Sequence, residues 1–112
     1  MLFVVTIDTF AMLDLRVGSI RSASEIDGAR KPLYKLEIDF GGDYGVKIIV
    51  AGIKDSYAKE DLVDKKVVCI VNLDHKAIAG VESEGMLLAA GESGGISLLV
   101  PDRDMPLGSK IH

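Results

Sequence analysis

Seven residues near the middle of the chain do most to limit its fold. In Tyr34-Lys35-Leu36-Glu37-Ile38-Asp39-Phe40, apolar or aromatic residues alternate strictly with charged ones. Side chains on an extended backbone point to opposite faces in turn, so this period of two predicts a strand with one buried and one wet face. A helix would divide the same four apolar residues between opposite sides. Asp27-Gly28 before the strand and Gly41-Gly42 after it are turn signals.

Shorter segments extend the pattern. Leu15 to Ile26 reads as a long first strand. Leu15 and Val17 share one parity, Ile20 has the other, and Gly18 stands between them, so a bulge or sharp bend is expected at that glycine. Val46 to Ala51 forms a third strand ending at Gly52. Val67 to Leu73 is apolar on both faces, as a central strand would be. Met86 to Ala90 makes a fifth strand, and Ile96 to Val100 pairs back on it across the turn Glu92-Ser93-Gly94-Gly95. Thr6 can cap a helix over Ile7 to Leu13, with Ile7 and Phe10 on one apolar face, and Ser56 to Leu62 is a short helical connection. With 112 residues there is material for one core, not two. Five to six short strands, a bent first strand and a helix between the third and fourth predict an all-β chain. The order suits a single OB-fold barrel with short helices and terminal extensions.

Little in the sequence suggests catalysis. His75, His112 and Cys69 do not form a metal-ligand pattern, no nucleophile sits beside a base, and the hairpin glycines do not precede a helix as a phosphate loop would. Cys69, inside an apolar run, reads as a core residue, and a single cysteine excludes an internal disulfide. No cofactor or metal is expected. The apolar start, Met1 to Val5, lacks the form of a signal peptide, and no segment approaches a membrane span, so a cytoplasmic protein is expected.

Binding chemistry remains. A net charge of −4 weighs against a general nucleic-acid binder, yet Arg16, Arg21, Arg30, Lys31 and Lys35 cluster on the first two strands and their turn. Such a patch suits phosphate contacts or serves as a solvated barrel face. Asn72, the polar residue of an apolar strand, must find a partner in a loop backbone or a ligand. In Val81-Glu82-Ser83-Glu84-Gly85-Met86, Ser83 can donate or accept a hydrogen bond, Gly85 permits close backbone approach, and Met86 can pack on a base or sugar. The same segment could simply cap the barrel.

Several blocks resemble the tRNA-binding domain family: Asp14-Leu15-Arg16-Val17-Gly18, Tyr34 to Asp39, Ile49-Val50-Ala51-Gly52-Ile53, Val71-Asn72-Leu73, Gly80 to Ala90, and Pro106-Leu107-Gly108-Ser109-Lys110-Ile111. The resemblance runs from about Phe10 to the C-terminus. It implies an OB-fold that recognises structured tRNA by shape and backbone contacts, without catalysis, as a homodimer or an auxiliary subunit of an aminoacyl-tRNA synthetase. Residues 1–13 would then be an N-terminal extension and helix at the dimer interface. The family's contact positions fall on Arg16, Asn72, Ser83 and Met86, with Lys31 and Lys35 as phosphate contacts, and Gly85, between Ser83 and Met86, joins the expected tRNA-binding residues. The segment Ala29 to Leu36 resembles instead the CsaA branch, which implies an alternative role as an export-related chaperone binding unfolded or precursor polypeptides.

Overall fold

In the computed structural model, which describes residues 3–112, the first strand is continuous: β1 spans Leu15–Glu25. It is followed by β2 (Tyr34–Asp39), β3 (Val46–Ala51), a single 3-10 turn (Lys59–Asp61) and β4 (Lys66–Ile70). Five short strands complete the chain: β5 (Lys76–Ile78), β6 (Val81–Ser83), β7 (Met86–Leu87), β8 (Ala89–Glu92) and β9 (Gly95–Leu98). The main sheet has the order β3-β2-β1-β4-β7, and β5-β6 and β8-β9 are separate hairpins. This strongly curved sheet, nearly closed on itself with very little helix, is an OB-type barrel.

The barrel interior is filled by the inward faces of β1 to β4. Ile20, Leu36, Ile38, Phe40, Ile49, Val67 and Cys69 have no exposed surface, and Leu62 seals one end. In β2 the alternation lands as expected: Tyr34, Leu36 and Ile38 are buried and Glu37 is exposed. Burial holds the Cys69 thiol protonated, with its pKa pushed up to about 12.

The parity break in β1 has a different cause from the bend expected at Gly18. Pairing with β4 runs regularly through Gly18↔Val67, and the register irregularity lies further on, between Ile20 and Ser22. Both faces of the strand are largely buried from Leu15 to Ile20. Gly18 and Ile20 face the interior, while Leu15 packs in a second cluster with Val68, Ile70, Leu88 and Ile111. Gly18 is glycine because a Cβ there would lie 2.6 Å from Ile38 Cγ2 and from Phe40 Cε1. The C-terminal tail continues the sheet beside β1: Val17 N donates to Ser109 O, Gly108 N to Val17 O, and Ile111 N to Leu15 O.

Other boundaries shift for identifiable reasons. The helix is one turn, Ile7–Phe10, capped by Thr6 Oγ1 accepting from Thr9 N, and stops short of Leu13. Its Ile7 is 76% exposed, so among the described residues no apolar face packs on Ile7 to hold a longer helix. The strand expected over Met86 to Ala90 divides at Leu88, whose N–H still reaches β4 at Val68 O while its carbonyl accepts from Leu99 N. The β5–β6 hairpin was not expected. Its turn places Ala79 (φ 50°) and Gly80 (φ 81°) in the left-handed region, a tight geometry normally signalled by Asn-Gly or Asp-Gly. Residues Met1 and Leu2 of the expected interface segment lie outside the described residues.

Candidate nucleic-acid interface

The barrel is closed at the β3 edge by a few side-chain and backbone bonds rather than by a paired strand. Val50 N donates to Ser83 Oγ at 3.0 Å, and Ser83 Oγ donates to Gly85 O at 3.2 Å. Glu84 forms a reciprocal bracket on Ile48: its own N–H donates to Ile48 O at 2.8 Å, and its Oε1 accepts from Ile48 N at 2.8 Å. The next residue passes so close to β4 that a Cβ on Gly85 would lie 2.5 Å from Ile70 O. Ser83, Glu84 and Gly85 thus seal an otherwise open strand edge.

Above this seal lies a cleft of about 410 Å³. Its floor is the end of β3 and the two residues after it, Val50 to Ile53, with Ser83 and Gly85; Ile78, Met86, Ala89 and Ile96 form apolar walls, and Asp74 and Lys76 bring charge to it. Met86 is half exposed and can meet a planar or apolar ligand group. Lys35 lies directly across the β2–β3 pair from Val50. The loop carrying Lys31 abuts the other end of the floor, where Lys54 N donates to Pro32 O and Leu33 packs beside Gly52. Ser83, Gly85 and Met86 thus line one cleft, while Lys31 and Lys35 lie on elements next to its floor and are not among the residues that line it.

Arg16 and Asn72 do not line this cleft. Asn72 Oδ1 accepts from Asp14 N at 2.8 Å, and its Nδ2 donates to Met12 O at 2.7 Å, so its amide pins the entry to β1. Arg16 Nε lies 2.6 Å from Asp14 Oδ1, Nη1 donates to Gly108 O at 3.2 Å, and the guanidinium sits 4.8 Å from the Tyr44 ring centroid. Tyr44 Oη donates to Asp14 Oδ2 at 2.8 Å. Desolvation pushes the Asp14 carboxyl up, but hydrogen bonds from Tyr44 and Arg16 and the nearby Arg16 charge outweigh it and hold Asp14 below its ordinary value. The Tyr44 hydroxyl is raised, chiefly by its bond to Asp14.

The five-cation patch accordingly divides. Arg16 is tied to Asp14 and Arg21 to Asp39 at 2.7 Å, whereas Arg30, Lys31 and Lys35 make no ion pair among the described residues. Lys76 escaped the sequence reading because its segment gave no strand signal; only the hairpin brings it to the cleft. Glu84, an acid awkward for an RNA site in the sequence alone, turns its carboxylate away onto Ile48 N. Among the described residues there is no cluster suited to a metal ion, and no helix is long and apolar enough to cross a membrane.

Known proteins with the same pattern are consistent in kind. The family described as "Putative tRNA binding domain" matches residues 15–110. A methionine–tRNA ligase of Methanococcus maripaludis is 48% identical over 109 residues, 97% of this chain and 16% of that protein, and one of Pyrococcus horikoshii is 43% identical over 108 residues, 96% of this chain and 14% of that protein. The chain thus spans about a sixth of the length of these relatives. Among solved structures, the CsaA chaperone protein of Picrophilus torridus superposes with a TM-score of 0.90 at 40% identity, covering 97% of this chain and 100% of that one. A MetRS-related protein of Pyrococcus horikoshii gives 0.89 at 34% identity, covering 99% and 100%. With the family model matching residues 15–110 and a relative 48% identical across nearly the whole chain, this chain belongs to the tRNA-binding domain family.

Proposed function

We propose that the chain is a non-catalytic module that binds structured tRNA by shape and backbone contacts, auxiliary to an aminoacyl-tRNA synthetase. One observation carries this reading: within a tRNA-binding family barrel, a half-exposed methionine and an unpaired lysine line an apolar cleft at the β3 edge, and the unpaired Lys31 and Lys35 lie on the elements next to its floor. Lys31 and Lys35 contact phosphates, Met86 packs against a base or sugar, and Ser83 and Gly85 shape the floor beneath them. Arg16 and Asn72 act through the scaffold, holding the tail and the entry to β1 in place. Local charge decides the encounter, so an acidic total is compatible with an RNA site.

The working unit we propose is a homodimer. Phe3, Val4, Val5, Ile7 and Met12 are largely exposed, and beside them an apolar groove of about 720 Å³ runs past Leu15, Ile70, Leu88 and Ile111. Self-association would cover this surface. The same groove favours a second reading, the holding of unfolded or precursor polypeptides, because CsaA chaperone structures match this chain over their entire length.

A tRNA titration across a salt series tests the first reading. Affinity should fall steeply with salt, with a slope of about 0.7–0.9 per phosphate contact, and should exceed that for duplex DNA of the same length. Equal affinity for the two nucleic acids refutes it. Suppression of client aggregation that excess tRNA leaves untouched favours the chaperone reading.

A further inference from the structure

We infer that Lys76 is a phosphate contact of this cleft and that Glu84 is the residue that positions it; the inference rests on the tRNA-binding reading. Lys76 lines the cleft together with Met86. It is exposed and makes no ion pair among the described residues, with Asp74, the other charge at the cleft, beyond ion-pair distance. It stands directly opposite Ser83 in the β5–β6 hairpin.

That hairpin pairs only with itself. An isolated two-stranded ribbon is marginal in water, so its place on the barrel depends on its attachments. At one end is the exposed Ala79-Gly80 turn. At the other end the chain is fastened to β3 by Ser83 Oγ on Val50 N and by the two-bond bracket of Glu84 on Ile48. Immediately afterwards Gly85 is wedged against Ile70 O, which leaves no slack.

The Glu84 carboxylate is spent on a backbone N–H of the barrel wall. Its sequence neighbour Glu82 differs: exposed, it lies 3.7 Å from His75 Nδ1 across the hairpin. Glu84 therefore favours an anionic ligand indirectly, by fixing the cation that meets it.

The experiment compares wild type, Lys76→Ala, Glu84→Ala, Glu84→Gln and the Lys76→Ala/Glu84→Ala double variant in tRNA titrations across a salt series. Lys76→Ala should weaken binding about tenfold and reduce the salt slope by about 0.7–0.9. Glu84→Ala should weaken binding similarly, with the same loss of slope, although it removes a negative charge. Glu84→Gln keeps an acceptor oxygen for Ile48 N and should stay within about twofold of wild type. The double variant should be no weaker than either single one. Unchanged binding by Lys76→Ala overturns the contact. Tighter binding by both Glu84 variants marks Glu84 as a repulsive charge and overturns the positioning role, as does a double variant whose losses multiply. Should Glu84→Ala fail to fold, the Glu84→Gln and Lys76→Ala results still decide. Absence of tRNA binding by the wild type refutes the underlying reading instead.

Discussion

Replacing Ser83 with alanine isolates what the seal on the β3 edge contributes. Ser83 is 3% exposed, and its hydroxyl both accepts from Val50 N at 3.0 Å and donates to Gly85 O at 3.2 Å. Alanine fits the same space but leaves Val50 N without that partner, at a residue that is itself buried. A buried donor left unpaired costs about 1–3 kcal/mol, and loss of the weaker bond to Gly85 O adds about 0.5–1. The expected loss is about 2–3 kcal/mol. For a chain of this size it corresponds to a fall in Tm of about 8–12 °C.

Urea unfolding followed by far-UV circular dichroism measures it, at one fixed protein concentration because the stability of the proposed dimer would depend on concentration. The midpoint should drop while the m-value stays unchanged, since the same surface is exposed on unfolding. A Ser83→Ala protein within about 0.5 kcal/mol of wild type would refute the reasoning: water would then satisfy Val50 N, and the edge would not be sealed.

Three further outcomes are expected. Gly85→Ala should destabilise by about 1–3 kcal/mol in the same assay, because the new methyl meets the Ile70 carbonyl, a backbone atom that cannot rotate away; wild-type stability would mean the segment has room to shift. Asp14, whose carboxyl is held below its ordinary value in the folded state, contributes stability at pH values above about 4 that is lost as pH falls through the lowered value. Asp14→Asn should therefore be less stable than wild type near neutrality, with the gap closing in acid; a gap independent of pH between about 7 and 3 contradicts this. The Cys69 thiol, fully buried with its pKa near 12, should resist thiol reagents at pH 8 in the folded protein and react promptly in urea.

The barrel was legible wherever one face of a strand is wet. In β2 the alternation of Leu36 and Ile38 with Lys35 and Glu37 fixed both the element and its inward face. In β1 the same logic misled, because a strand buried on both faces shows apolar residues of both parities. Only the tail segment beside Leu15 and Val17, about ninety residues later in the chain, reveals why. The β5–β6 hairpin was invisible for a more local reason: Ala79 occupies a positive-φ position where sequence rules look for Asn, Asp or Gly.

The site was legible in residue type more than in role. Ser83, Gly85 and Met86 do converge on one cleft, but two of the three meet the protein's own backbone. A small polar residue and a glycine are what a tight backbone seam requires, and equally what a ligand loop requires, so their identities cannot separate the two. Charge misleads for a related reason. Arg16 and Arg21 look like RNA contacts in a linear reading, yet each is bound to an aspartate at 2.6 or 2.7 Å. Lys76 was overlooked and stands unpaired at the cleft. What a phosphate senses is the cation left over after internal pairing, and pairing is a property of register and of tail placement. The two glutamates around Ser83 follow the same rule: Glu84 presents its carboxylate to Ile48 N, and only Glu82 remains exposed as a charge that could oppose an RNA backbone.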